Sequence, residues 1–240
     1  SDLDEYGHWS YAADYGPVWT PLAVAPGWAP YRYGHWVWVA PWGWTWVEDE
    51  PWGFAPFHYG RWAFVGASWC WVPGPVYARP VYAPALVAFV GGGGFSFGVG
   101  IGAGVAWFPL APREVFVPWY RTSPGYVNNV NITNTRVNVT QVTNVYNTTI
   151  INNNTTNVTR ITYANQHVAN AVTAVSHDTF VNARPVQANL AKVDAKEIAN
   201  APVSHSIPAQ PARQSVIGAG RPSNAKPPAA VMNRQVIAVH

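Results

Sequence analysis

The string Tyr6-Gly7-His8-Trp9 returns as Tyr33-Gly34-His35-Trp36 and again as Tyr59-Gly60-Arg61-Trp62, spaced by 27 residues (6 to 33) and then 26 (33 to 59). A second marker keeps the same phase: Gly27-Trp28-Ala29-Pro30-Tyr31, Gly53-Phe54-Ala55-Pro56-Phe57 and a decayed Val81-Tyr82-Ala83-Pro84-Ala85. Two motifs in one register mark a supersecondary unit that cannot bury its apolar face alone and must stack on its neighbours. Residues 1–90 therefore read as a module of three units, near 6–32, 33–58 and 59–87.

Within the second unit, Trp36-Val37-Trp38-Val39 and Trp44-Thr45-Trp46-Val47 flank Ala40-Pro41-Trp42-Gly43. Aromatic and β-branched runs around a Pro/Gly turn signal predict a β-hairpin. The third unit repeats this with Trp62-Ala63-Phe64-Val65 and Trp69-Cys70-Trp71-Val72 around Gly66-Ala67-Ser68. Alternation puts Trp36 and Trp38 on one face, and Trp44 and Trp46 likewise, so that cross-strand indole pairs zip the sheet. The residues expected to carry this packing are Trp9, Trp28, Trp36, Trp38, Trp44, Trp46, Trp52, Trp62, Trp69 and Trp71, in a meander or small barrel of three hairpins.

Composition narrows the function. Charged residues make up 10% of the chain, against roughly 25% in ordinary globular proteins, while 14 of the 240 residues are tryptophan. Such a chain cannot cover its surface with charge, which favours a binding or assembling protein whose aromatic surface meets a ligand or another chain. The net charge of +3 is spread without a Lys/Arg cluster, so nucleic acid is not an expected partner. Cys70 is the single cysteine, which excludes an intramolecular disulfide and a multi-cysteine zinc site; between Trp69 and Trp71 it reads as a small buried apolar residue. The acidic opening Ser1-Asp2-Leu3-Asp4-Glu5 lacks the basic and apolar runs of a signal peptide and reads as a processed or truncated terminus.

Beyond the repeats, residues 91–125 form a Gly-rich strand and connection: Gly98, Gly100, Gly102 and Gly104 alternate with Val99, Ile101, Ala103 and Val105, leaving one side of a strand bare. The uncharged stretch Ala83 to Pro112 is long enough to span a membrane, but its glycines and prolines favour buried strands. Residues 126–165 turn to Asn, Thr and Val, and their alternation predicts strands suited to pairing, with Val130, Ile132, Val137, Val139, Val142, Val145, Ile150 and Ile151 on the assembling face. Six Asn-x-Thr triplets here follow from composition and are not read as glycan sites. In 166–240, Leu190, Val193, Glu197 and Ile198 suggest one short helix within 186–199, and the prolines beyond Ala201 predict an extended arm ordered by a neighbouring subunit. The expected fold is mainly β: Trp-rich hairpin repeats, Asn/Thr-rich strands, and an extended Pro-rich tail with at most one short helix.

The string Gly27-Trp-Ala-Pro-Tyr-Arg-Tyr-Gly-His-Trp36, with Pro41-Trp-Gly-Trp-Thr-Trp46 and Pro51-Trp-Gly-Phe-Ala-Pro-Phe-His-Tyr-Gly-Arg-Trp62, resembles a family of uncharacterised tryptophan-rich exported bacterial proteins. Trp107-Phe-Pro-Leu-Ala-Pro-Arg-Glu114, Val117-Pro-Trp-Tyr120 and Val130-Asn-Ile-Thr-Asn134 extend the likeness, which covers roughly residues 2 to 185. Members often carry a FecR-like domain ahead of this region. The resemblance implies export from a bacterial cell and a missing N-terminal part; it implies no activity and no catalytic residue.

No catalytic constellation stands out. Glu48-Asp49-Glu50 lacks the spacing of a calcium loop and reads as a solvated turn. His8 and His35 share a repeat position with Arg61, an exchange that suits a polar group capping an aromatic stack better than a metal ligand. The chain is therefore expected to be non-enzymatic, without cofactor or metal. The leading expectation is a secreted, extracellular or envelope-associated structural subunit that polymerises into filaments with copies of itself by strand pairing and aromatic packing. The alternative is a glycan- or peptidoglycan-binding module that stacks exposed Trp and Tyr rings on sugars.

Overall fold

A computed structural model describes residues 2–91, 104–151, 161–207 and 209–219. Each Tyr-Gly-x-Trp string opens a hairpin. β1 (Gly7–Ala12) pairs with β2 (Gly16–Pro21), β3 (Gly34–Val39) with β4 (Gly43–Glu48), and β5 (Arg61–Val65) with β6 (Ser68–Val72), all antiparallel. In every hairpin the tryptophan of the string faces a tryptophan of the return strand: Trp9 opposite Trp19, Trp36 opposite Trp46, Trp62 opposite Trp71. The glycine two residues earlier has a steric reason. A Cβ on Gly7 would stand 2.3 Å from the Trp19 ring, on Gly34 2.7 Å from the Trp46 ring, and on Gly60 2.6 Å from Trp71 Nε1. The repeat is thus a packing device, a bare stretch of backbone over which the return-strand indole closes.

The hairpins form neither a meander nor a closed barrel. The first and third join in a sheet of order β1-β2-β6-β5, and the second stands apart as a two-stranded sheet. The Leu22 amide donates to the Tyr6 carbonyl, so even-numbered residues of β1 bond to β2 and odd-numbered residues of β2 turn toward β6. Two of those odd positions are Pro17 and Pro21, which have no N–H. β2 accordingly meets β6 at one paired position, Trp19–Trp71.

The second marker joins the units. Within the single-turn helix α1 (Ala55–His58), the Phe57 ring packs at 90° against Tyr31, centroids 5.0 Å apart. The Tyr31 hydroxyl donates to the Phe57 carbonyl at 2.8 Å and accepts from the Leu86 amide at 3.2 Å. Elements of all three units therefore meet at one hydroxyl.

A third sheet, of order β10-β7-β8-β9, contains β7 (Val87–Val90), β8 (Gly104–Pro109), β9 (Thr173–Ser176) and β10 (Val203–Ser204). Val87, Phe89, Val105 and Trp107 point into the tryptophan cluster, and Ala88, Val90, Ala106 and Phe108 into a second cluster with Val130, Tyr163 and Ile198. Strands buried on both faces read as unbroken apolar runs, which accounts for the uncharged stretch over 83–112. No helix among the described residues is long and apolar enough to cross a membrane. Most of the expected Gly-rich strand falls at 92–103, outside the described residues.

The chain is mainly β, but the Asn/Thr-rich strands are a correction. Val130 and Ile132 lie in α2 (Pro124–Ile132), Val139, Val142, Val145, Ile150 and Ile151 in α3 (Val139–Ile151), and Val137 in the link between them. Capping overrides β propensity here. Ser123 Oγ accepts from the Tyr126 amide ahead of Pro124, and Asn138 and Gln141 exchange side-chain and backbone bonds at 2.9 Å in a capping box. The asparagines act as tertiary clasps: buried Asn131 bonds both Phe116 N and Phe116 O, and Asn134 bonds Gly60 N and Val81 O.

With α4 (His177–Val181), α5 (Ala195–Asn200) and α6 (Arg213–Ala219), the described residues hold more than the one short helix expected. The helix expected within 186–199 starts at Ala195, because Asp194 caps it by accepting from Lys196 N and Glu197 N; Leu190 stays 45% exposed. The start of the Pro-rich tail docks on its own chain rather than needing a neighbour: β10 pairs with β7, the Trp44 indole donates to the Ala209 carbonyl at 3.1 Å, and α6 lies along β3.

The steric role of the repeat glycine is testable at Gly34, where an added Cβ would also lie 2.1 Å from the Val47 carbonyl oxygen. Gly34→Ala should destabilise the chain by about 2–3 kcal/mol, the scale of core overpacking, measured by urea denaturation. An unchanged midpoint would refute the packing role.

Candidate functional site

The titratable residues are used as structural parts. Arg32 is buried and donates to the carbonyls of Gly27, Asn170 and Val172, to Asn170 Oδ1 and to Thr173 Oγ1, all uncharged. Arg61 is buried as well and donates to the carbonyls of Glu114 and Gly60 and to Asn131 Oδ1; burial lowers its pKa to about 10. Strand alternation puts Arg61 on the face opposite Trp62, so this repeat position does not cap the aromatic stack; His8 at the same position is exposed and His35 half-buried. Cys70 is buried, within 3.3 Å of Thr20 Oγ1.

The acidic triplet is only partly solvated. Glu48 is 3% exposed and accepts the Trp46 indole N–H at 2.8 Å, and burial pushes its carboxyl well above the usual range. Asp49 is exposed and Glu50 half-buried. His58 stacks on Tyr82 with centroids 4.8 Å apart, and its Nδ1 lies 2.8 Å from the Ala83 carbonyl. His205 Nε2 lies 3.1 Å from the Tyr163 hydroxyl. Burial lowers both imidazoles to about 4. Among the described residues, no three His, Cys, Asp or Glu side chains come together to hold a metal ion.

The tryptophans expected to pack do so inside one chain. Trp28, Trp36, Trp44, Trp46, Trp52, Trp62, Trp69 and Trp71 are buried, and Trp38 is half-buried. Trp36 is the hub: its ring lies within 5.3–6.3 Å of Trp46, Phe89, Trp107, Trp119 and Phe180. Trp9 differs, at 43% exposed, and Tyr11, two residues along the same strand face, is 79% exposed.

These two rings stand on an open sheet edge. The other long strand edges are each held by another segment: Leu110 O accepts from Trp62 N on β5, Pro84 O from Trp46 N on β4, Gly34 O of β3 accepts from Val186 N, and Ala174 O of β9 from Ala191 N. On β5 this leaves Phe64, 43% exposed, as one outward residue without a backbone partner among the described residues. On β1 the outward backbone groups belong to Gly7, Trp9 and Tyr11, and no described residue bonds to them. Natural edges are guarded by Lys, Pro or a bulge; β1, reading Gly-His-Trp-Ser-Tyr-Ala, has no charged residue and no proline. Sequence reading put Trp9 among the packing residues and missed both Tyr11 and the buried arginines. The only available signal for the latter was the rarity of charge within the repeats.

The buried titrating groups fix the pH dependence of stability. His58 and His205 have depressed folded pKa values, so the stability they contribute is complete above about pH 6.5 and is lost as pH falls toward 4. Glu48 works in the opposite sense: its stability contribution is complete below pH 4.5 and is lost as pH rises. Glu48→Gln should therefore raise the unfolding free energy at pH 7.5 and have no effect at pH 4. In that background each histidine should cost on the order of 3 kcal/mol of stability between pH 6.5 and 4, partly offset by Asp49, Glu50 and Glu114, whose carboxyls are also raised by burial and act in the sense of Glu48. A pH profile unchanged by His58→Gln, measured by denaturation, would contradict the histidine assignment, and no gain at pH 7.5 from Glu48→Gln would contradict that of Glu48.

A protein-family model described as "Family of unknown function (DUF6600)" matches residues 1–114, which hold the three hairpins, β7 and β8. No curated protein and no solved structure matches the chain. Its N-terminal half is therefore similar to a family of unknown function.

Proposed function

We propose that this chain is a non-enzymatic structural module that works by associating with copies of itself, outside the cell or in a bacterial envelope. The open, uncharged edge of β1, with Trp9 and Tyr11 exposed along it, is the observation that carries this reading. A row of unpaired amides and carbonyls beside apolar rings favours addition of a further strand. Arg32, Arg61 and His58 are taken up in contacts with backbone carbonyls, and His205 with the Tyr163 hydroxyl. The compartment in this reading is supported by the resemblance to exported, FecR-associated bacterial proteins. Pairing through 126–165 is no longer part of the reading, because that segment is helical.

A glycan-binding reading draws on the same two exposed rings, whose i, i+2 spacing along one face could meet a sugar chain. Sedimentation equilibrium from 10 to on the order of 500 µM, the weak end of the affinity scale, separates the two readings. Self-association should appear in the wild type and weaken in Tyr11→Lys, while tryptophan fluorescence stays flat on titration with peptidoglycan fragments. A monomer throughout, with a saturating fluorescence shift, would overturn self-association in favour of glycan binding.

A further inference from the structure

We infer that β1 pairs with β1 of a second copy, antiparallel about a two-fold axis at Trp9, and that this pairing closes the assembly at a dimer. The inference rests on the self-association reading above and names its partner, register and end point.

The register follows from which groups are free. In an antiparallel pair, residues that exchange both backbone bonds alternate along the strand, and on β1 the outward residues are Gly7, Trp9 and Tyr11. Centring the two-fold axis on Trp9 sets Trp9 against Trp9 and Gly7 against Tyr11 of the second copy, engaging all three outward residues of each chain. A shift of one pairing step in either direction leaves Gly7 or Tyr11 without a partner. Side chains agree with that choice. Gly7 has no side chain to obstruct the opposing Tyr11, which fits the known pairing of an aromatic ring with a strand glycine. Trp9 against Trp9 extends a row already present across the sheet, Trp9–Trp19, Trp19–Trp71 and Trp71–Trp62. On the other face exposed His8 meets Ser10, while Asp4, whose Oδ1 accepts from Trp9 Nε1 at 3.2 Å, brings one carboxylate of each copy near the Trp9 pair and further weakens the contact.

Closure follows from the far edge. A two-fold contact uses the same patch on both partners, so it consumes β1 in each. The opposite edge at β5 is held at Trp62 by Leu110 and by Asn165, whose Nδ2 donates to the Trp62 carbonyl, which leaves Phe64 as its single outward residue without a backbone partner among the described residues. The product is an eight-stranded sheet whose remaining edges, at β5, each offer one outward residue, Phe64, too short a stretch to pair as β1 does. Its interface is small. Trp9 and Tyr11 are 43% and 79% exposed and an aromatic residue buries about 200 Å², so the rings supply well under the roughly 1,200 Å² of a stable complex. The dimer is therefore weak and concentration-dependent.

Disulfide trapping on the full chain tests the register. In a Cys70→Ala background, His8→Cys and Ser10→Cys chains are mixed at high concentration and oxidised mildly. The 8–10 heterodisulfide should exceed both homodisulfides at least five-fold, because that pair is the closely spaced, non-hydrogen-bonded one. Tyr11→Pro removes an outward N–H without touching the bonds to β2, and should weaken the dimer more than ten-fold with an unchanged circular dichroism spectrum. Dimers that give equal or greater 8–8 or 10–10 disulfides would overturn the register while leaving self-association standing. Growth beyond the dimer would overturn closure, and a monomer at every concentration would overturn both the pairing and the reading beneath it.

Discussion

A tryptophan indole closing over a bare glycine is the contact on which the rest of this fold depends. It occurs three times, at Gly7 with Trp19, Gly34 with Trp46 and Gly60 with Trp71, and each time it sets the register of a hairpin. Once the return-strand indole is seated, the tryptophan two residues beyond the glycine is forced opposite it. The pairs then offer ring edges and faces to neighbours from distant parts of the chain. Trp36 sits where these meet, edge-on to Trp46 and Trp107 and close to Phe180. Aromatic pairs tilted in this way add about 0.5–1.5 kcal/mol each beyond the area they bury, so a hub with five ring neighbours joins the β3–β4 sheet to the sheet of β7 and β8 in one cooperative core.

Polar residues hold the remaining segments against that core. Arg32 reaches 170–173, Arg61 and Asn131 reach 114–116, Asn134 reaches Gly60 and Val81, and Asn165 bridges the carbonyls of Trp62 and Pro109. Each buried guanidinium keeps its charge among uncharged acceptors, five bonds at Arg32 and four at Arg61, so losing a clasp would leave a buried group unsatisfied. A protein with so few charges thus places two of its arginines inside and leaves β1 without the charged guard that sheet edges ordinarily carry. The sparse charge, the internal clasps and the open edge share one origin in composition.

The repeat, the hairpins and the indole pairs were legible in the sequence because each is decided by residues close together in the chain. Sheet order was not. It turns on Pro17 and Pro21, which limit β2 to a single pairing with β6, and on hairpin contacts more than forty residues apart. The Asn/Thr segment misled because it carries two periods at once. Its alternation of β-branched and polar residues suggests strands, while Val127, Val130, Asn131 and Asn134 also recur at helical spacing, and the caps at Ser123-Pro124 and Asn138…Gln141 decide for the helix. Those caps were readable and outweigh side-chain propensity. The open edge was half legible: β1 visibly lacks charge, but only the three-dimensional structure identifies the edges that other segments cover.

Whether one aromatic hub unites the two sheets can be decided by site-resolved amide hydrogen exchange on wild-type and Trp36→Ala chains. Protection in β3–β4 and in β7–β8 should fall together and by the same free energy in the variant, since Trp36 touches Trp46 on one side and Phe89 and Trp107 on the other. Loss confined to β3–β4, with β7 and β8 as protected as in the wild type, would contradict a single cooperative core.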